Sequence, residues 1–212
     1  MLGLELSESA GLAGAAALAA GVGVVHTLLG PDHWLPFVAL TREPNWGVRR
    51  VVPVVLLCGV LHCLASVAIA ALGTVAGAGL TELLQLTEAR GVLAGLALLS
   101  LGVALLLPRR AHSALSAPQG ARIWWWLAVV FVLGPCEWLV PAAMAAAARF
   151  GPVGLWAVSA AFSVATIATM LLTTLSAVHV TSPLLARAGP KRARLCAASL
   201  VVLCAVLMLA GF

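Results

Sequence analysis

No Lys, Arg, Asp or Glu occurs between Arg50 and Glu82. A helix needs only about 20 apolar residues to cross the hydrocarbon core of a bilayer, and this run is longer. Comparable runs recur along the 212 residues, which are 63% hydrophobic and 9% charged, with a mean hydropathy of +1.11. Soluble domains carry about 25% charged residues, so too few charges are present here to cover a water-soluble globule. The same composition excludes a disordered chain and a small disulfide-stapled secreted fold. A net charge of +5 could suit a nucleic acid, but the 12 Lys and Arg lie in short clusters between apolar runs. That arrangement is the signature of membrane topology. The chain reads as all-α, a polytopic integral membrane protein surrounded by lipid bilayer, with no nucleic-acid partner.

The opening MLGLELSESA carries Glu5 and Glu8 where a secretory signal would carry basic residues. The first apolar segment is therefore expected to be a retained transmembrane helix. Six segments have spanning length, at roughly 12–41, 51–76, 91–107, 123–148, 153–178 and 195–211. The more polar stretch 78–90 is expected to be a short interfacial helix. Transmembrane β-strands do not fit, because the Ala/Leu-rich runs are long and lack two-residue alternation. Three loops hold most of the basic residues: Arg42, Arg49 and Arg50; Arg109, Arg110 and Arg122; and Arg187, Lys191, Arg192 and Arg194. Only Arg90 and Arg149 remain for the other side. The positive-inside rule places those three loops in the cytoplasm and both termini outside. Trp124–Trp126, next to Arg122, suit an aromatic anchor at the cytoplasmic interface.

An internal repeat is superimposed on this pattern. Leu29–Ala39 reads LGPDHWLPFVA and Leu133–Ala143 reads LGPCEWLVPAA, at a constant offset of 104 residues. Ala and Leu match cheaply in this composition, but Gly-Pro followed by Trp-Leu at fixed spacing does not. The offset divides the six segments into three plus three: a first repeat at 1–107, a cytoplasmic linker at 108–122 and a second repeat at 123–212. An odd number of helices per half inverts the second against the first, as in many secondary transporters. Gly-Pro at Gly30–Pro31 and Gly134–Pro135 is expected to break the first and fourth helices, since proline removes an N–H and clashes with the preceding turn. Irregular backbone at membrane depth persists only where it is buried in protein or lines a cavity.

The polar chemistry gathers at those two breaks. Of the acidic residues, only Asp32 and Glu137 lie well inside apolar segments, where a carboxylate costs roughly 2.5–3.5 kcal/mol on the insertion scale. His26, Asp32 and His33 fall together in HTLLGPDH, and imidazole with carboxylate suits first-row divalent metals. In the next segment Cys58, His62 and Ser66 share one helical face. In the second half Cys136 and Glu137 stand where Asp32 and His33 stand in the first, while His62 corresponds to Thr166 and Ser66 to Met170. The halves thus keep the break and exchange the ligands, as one asymmetric site between them requires. The expected metal-ligating set is His26, Asp32, His33, His62, Cys136 and Glu137. Met170, Cys63, Cys196 and Cys204 read as packing residues, His179 as interfacial and His112 as solvated. No P-loop, GxSxG or HExxH occurs, so neither an enzyme nor an ATP-driven pump is expected.

The segments HTLLGPDHWLPF, GVLHCLAS, LGPCEWLVP and SVATIATM together resemble the nickel/cobalt transporter superfamily. The resemblance is to its NicO and UreH-type members, loosely grouped with sulfite exporters of the TauE/SafE type. It implies a secondary transporter with Ni²⁺ or Co²⁺ as transported substrate rather than resident cofactor, in the bacterial inner (plasma) membrane. The family's His-x4-Asp-His motif matches His26, Asp32 and His33, here with five intervening residues, and its second His-bearing helix matches at His62. The His-rich cytoplasmic loop of some nickel/cobalt exporters has no counterpart, since 108–122 contains only His112. An alternative is export of a small anion or organosulfur compound, bound by backbone N–H groups after each Gly-Pro break. A thiol-electron carrier using Cys136 with Cys63 and a non-transporting membrane accessory protein are further classes.

Overall fold

Long Ala/Leu/Val runs without two-residue alternation leave helix as the way to satisfy backbone groups within each apolar segment. In the computed structural model, which describes residues 2–41, 46–77, 79–107, 119–134, 136 and 138–210, every regular element is helical. In chain order these are α1 (Leu2–Leu29), a 3₁₀ turn (Pro31–His33), α2 (Leu35–Leu40), α3 (Val48–Ala76), α4 (Leu80–Leu106), α5 (Gln119–Leu133), α6 (Leu139–Ala188) and α7 (Pro190–Leu209).

Five stretches are long and apolar enough to cross a membrane: Ala10–Leu29, Val48–Ala76, Leu80–Leu106, Leu139–Pro183 and Lys191–Leu209. The chain thus has the character of an integral membrane protein. Its outer surface agrees, with Val75, Leu29 and Trp125 exposed by 88%, 77% and 74%. Large apolar side chains so widely displayed are tolerated by lipid and costly in water. Trp126 also projects outward, while the side chain of Trp124 lies outside the described residues.

Three sequence expectations change. The interfacial helix expected at 78–90 is instead the beginning of α4, which runs unbroken from Leu80. Its buried residues Leu83, Thr87, Gly91, Ala94, Leu98 and Leu101 recur at three- and four-residue steps, so one face packs throughout. The segment expected at 12–41 starts earlier and stops at Leu29, followed by the turn and the short α2. The segment expected at 123–148 is divided between α5, too short at 15 residues to cross alone, and the start of α6. Within α6 the chain bends at Gly151, whose φ of 66° and ψ of −157° are non-helical, just before Pro152. That backbone conformation is accessible essentially to glycine alone.

An offset of 104 residues separates the last residues of α1 and α5, Leu29 and Leu133, and the first residues of α2 and α6, Leu35 and Leu139.

The helix α6 is the hub, packing against both α1 and α3, while α4 packs along α7 and touches α5. The approach of α1 to α6 is close. A Cβ on Gly23 would lie 2.9 Å from the Phe162 carbonyl oxygen and 3.0 Å from Thr166 Oγ1. Two apolar clusters result. One gathers Phe37, Val54, Val55, Cys58, Leu98, Phe131 and Met170; the other gathers Val67, Leu83, Cys136, Leu139, Leu155 and Phe162. On α3 the first cluster reaches Cys58 and the second begins at Val67. His62 stands between them, in the seam where the broken chain segments meet.

Candidate metal centre

His26 occupies the last turn of α1, which closes with the Gly30 N–H donating to the His26 carbonyl at 2.9 Å. Pro31, lacking an N–H, then diverts the chain into the 3₁₀ turn, held by His33 N–H to the Gly30 carbonyl at 3.1 Å and Trp34 N–H to the Pro31 carbonyl at 3.3 Å. This tight turn puts His26, Asp32 and His33 side by side. The rings of His26 and His33 meet edge to face with centroids 4.6 Å apart, and His33 meets His62 in the same way at 5.1 Å.

His62 enters from α3, on the buried face shared with Cys58 and Ser66. Its Nδ1 lies 3.1 Å from the Phe131 carbonyl oxygen. A carbonyl oxygen only accepts, so Nδ1 carries the proton and the lone pair is on Nε2. That Nε2 is buried and has no hydrogen-bond partner. Fixing one ring nitrogen on a carbonyl to present the other is the usual way a protein orients a histidine ligand.

Cys136 enters from the break between α5 and α6. Its N–H donates to Ser66 Oγ at 3.3 Å, its carbonyl accepts from Leu139 N–H at 3.0 Å, and its Sγ lies 4.0 Å from His26 Nε2. One ligand atom from each of His26, His62 and Cys136 lies within 4.8 Å of the others, a grouping able to hold a metal ion. An ion bound tetrahedrally at 2.0–2.1 Å to nitrogen and 2.3 Å to sulfur holds nitrogen and sulfur about 3.5–3.6 Å apart and two nitrogens about 3.3–3.4 Å apart. Contraction by a few tenths of an ångström would bring His26 and Cys136 to that separation.

Asp32 Oδ2 lies 3.2 Å from His33 Nδ1, close enough for an ion pair but without the alignment of a hydrogen bond, and both nitrogens of the buried His33 lack a hydrogen-bond partner. Asp32 keeps part of its surface open and, with His26 and His33, lines a groove of about 850 Å³ whose wall also includes Glu88 and Trp138. The groove gives the histidines a route to the outside of the bundle. Glu137 lies outside the described residues. Of the other expected ligands, His26, His62 and Cys136 converge, with Asp32 and His33 beside them. Met170 is buried one helical turn along α6 from Thr166, facing Gly59.

One charged residue of this region was not anticipated. Arg90 lies well inside α4, its Nη2 donating to the Val132 carbonyl at 2.6 Å, while its Nη1 is buried without a partner. The sequence signal for it was the three- and four-residue spacing of apolar positions, which carries through 80–90 into the rest of α4. An anion held at the same breaks would need free backbone N–H groups. There the N–H groups of His33, Trp34, Cys136 and Leu139 already donate within the protein, to Gly30, Pro31, Ser66 and Cys136.

Compared with known proteins, the chain matches no family model, no curated protein and no solved structure.

Proposed function

We propose that the protein is a secondary transporter of a divalent transition-metal cation, with Ni²⁺ or Co²⁺ the cargo its motifs imply. The observation that carries this reading is the convergence of the partly exposed His26 with the buried His62 and Cys136, one residue from each of three separate chain segments. A structural core does not require an unpartnered imidazole nitrogen there, and a buried polar atom without a partner is costly unless something occupies it.

In this reading six spans form two inverted three-helix repeats, with α1 and α2 making the first span and α5 with the start of α6 the fourth, an arrangement that suits transport over storage. The common 104-residue offset of the helix ends favours that arrangement. Both breaks then meet at mid-depth, where inverted-repeat transporters bind their cargo, and helix C-terminal ends such as those at Leu29 and Leu133 favour a cation. In this reading Asp32 and Glu137 offset the ion's charge, and rocking of one repeat against the other opens the site to each side in turn. The basic loops face the cytoplasm of a bacterial inner membrane.

Metal accumulation by cells producing Asp32→Asn, His33→Ala or Glu137→Gln tests the reading. Reduced accumulation is expected for each variant at equal membrane abundance. Wild-type accumulation by all three would overturn it.

A further inference from the structure

The three convergent ligands differ from the His/Asp set that the motif alone suggests, and their chemistry bears on which ion they hold. We infer that the site is a His₂Cys centre selective for a thiophilic closed-shell cation, Zn²⁺ or Cu⁺, over Ni²⁺, an inference that rests on the transporter reading and refines its cargo.

Three observations converge on this. First, the grouped donors are two imidazole nitrogens and one sulfur, and thiolate ligands favour Zn²⁺ and Cu⁺, whereas Ni²⁺ favours tetragonal nitrogen and oxygen sets and Mn²⁺ six oxygens. Second, the nearest described carboxylate, that of Asp32, lies against His33 at 3.2 Å and is not one of the grouped donors. Third, an aromatic ring flanks each of the two histidines. Phe162 lies beside His26 and Phe131 beside His62, with ring centroids 6.1 and 6.0 Å apart, and these two side chains offer no oxygen to a larger coordination shell. A d¹⁰ ion has no ligand-field preference and accepts three protein ligands with one position open. An open position also lets the ion leave, which a closed four-ligand structural site does not. Binding exchanges the Cys136 S–H proton for the ion: the S–H bond breaks, the sulfur–metal bond forms with the same electron pair, and the proton passes to bulk water.

The test is competition binding to the purified full-length protein, with Zn²⁺, Ni²⁺ and Co²⁺ against a chromogenic chelator and Cu⁺ under ascorbate against a Cu⁺-specific one. Zn²⁺ or Cu⁺ is expected to bind more tightly than Ni²⁺, and the pair of arms shows which of the two is held. Cys136→Ser is expected to weaken that binding by about 100-fold while changing Ni²⁺ affinity little. Because Cys136→Ser can also disturb the break it occupies, folded wild-type protein loaded with Co²⁺ supplies a second readout, an intense near-ultraviolet sulfur-to-cobalt charge-transfer band. Absence of that band from the Co²⁺-bound protein, or Ni²⁺ binding tighter than both Zn²⁺ and Cu⁺, overturns the selectivity and leaves the transporter reading standing. If none of the four ions binds, both fall.

Discussion

The Nδ1 of His62 lies 3.1 Å from the carbonyl oxygen of Phe131, and this contact joins α3 to the last turn of α5. It fixes the imidazole tautomer and leaves the Nε2 lone pair unpartnered, on a ring grouped with His26 and Cys136. The carbonyl belongs to a helix about to end at Leu133, so the break that places Cys136 also supplies the group that orients His62. Ser66, one turn further along α3, holds the Cys136 N–H. The histidine and the cysteine are therefore positioned by one pair of segments.

Removing His62 should abolish the site without unfolding the bundle. His62→Ala is expected to lose about 100-fold in metal affinity, and His33→Ala, which lies beside the ligands without being grouped with them, about tenfold. Thermal shift of the purified variants with Ni²⁺, Co²⁺, Zn²⁺ and Mn²⁺ measures both. Bound metal stabilises by mass action, so the metal-induced rise in Tm should vanish for His62→Ala and shrink for His33→Ala.

The turn at Gly30 has no room for a side chain. A Cβ there would lie 2.7 Å from His33 Nδ1, 2.9 Å from Asp32 Oδ1 and 3.1 Å from the His26 carbonyl oxygen. Gly30→Ala must displace the Asp32–His33 pair, and the expected outcome is a loss of metal accumulation with the protein still inserted in the membrane. Gly14→Ala, on α1 away from the groove with nothing within 4 Å of the added Cβ, is the control and should accumulate metal normally.

Gly23 sets the distance between α1 and α6. Its added methyl would meet a backbone carbonyl, that of Phe162, which cannot rotate away. Gly23→Ala is expected to destabilise by about 1–3 kcal/mol, the usual cost of overpacking. Thermal unfolding in detergent, read against Gly14→Ala on the same helix, checks the value.

Arg90 anchors the end of α5 through the Val132 carbonyl. Arg90→Met should cost about 1–3 kcal/mol by leaving that carbonyl without its charged donor, and Arg90→Lys should recover part of the loss. Because Val132 precedes the break that carries Cys136, the Met variant should also transport more slowly. Unfolding and uptake measured on the same preparations establish whether the two effects travel together.

Much of the site was legible because charge is so scarce. Between Arg50 and Glu82 a single histidine breaks the apolar run, and the Gly-Pro repeat drew Cys136 into register with Asp32. The shared face of Cys58, His62 and Ser66 followed from helical geometry, and all three are buried. Other features depended on tertiary contact. Nothing local shows that Phe131 offers its carbonyl to His62, since residues 69 positions apart meet only in the folded chain. The beginning of α4 looked interfacial because Glu82, Glu88 and Arg90 interrupt its hydropathy. Glu82 and Glu88 are exposed and Arg90 finds a carbonyl, so the helix continues through them. At Gly151 the non-helical backbone separates two helical stretches of α6, at the division that hydropathy places between 148 and 153.

The central claim is that a transition-metal ion crosses the membrane through the point where His26, His62 and Cys136 meet. Uptake into sealed proteoliposomes enclosing a metal-sensitive fluorescent chelator tests it most directly. Wild-type protein should give a saturable, protein-dependent rise in signal with at least one of Zn²⁺, Cu⁺, Co²⁺ and Ni²⁺, and His26→Ala, His62→Ala and Cys136→Ser should each reduce it to the rate of empty liposomes. Flux in the three variants equal to wild type, or no flux of any of these ions through the wild-type protein, would contradict the account.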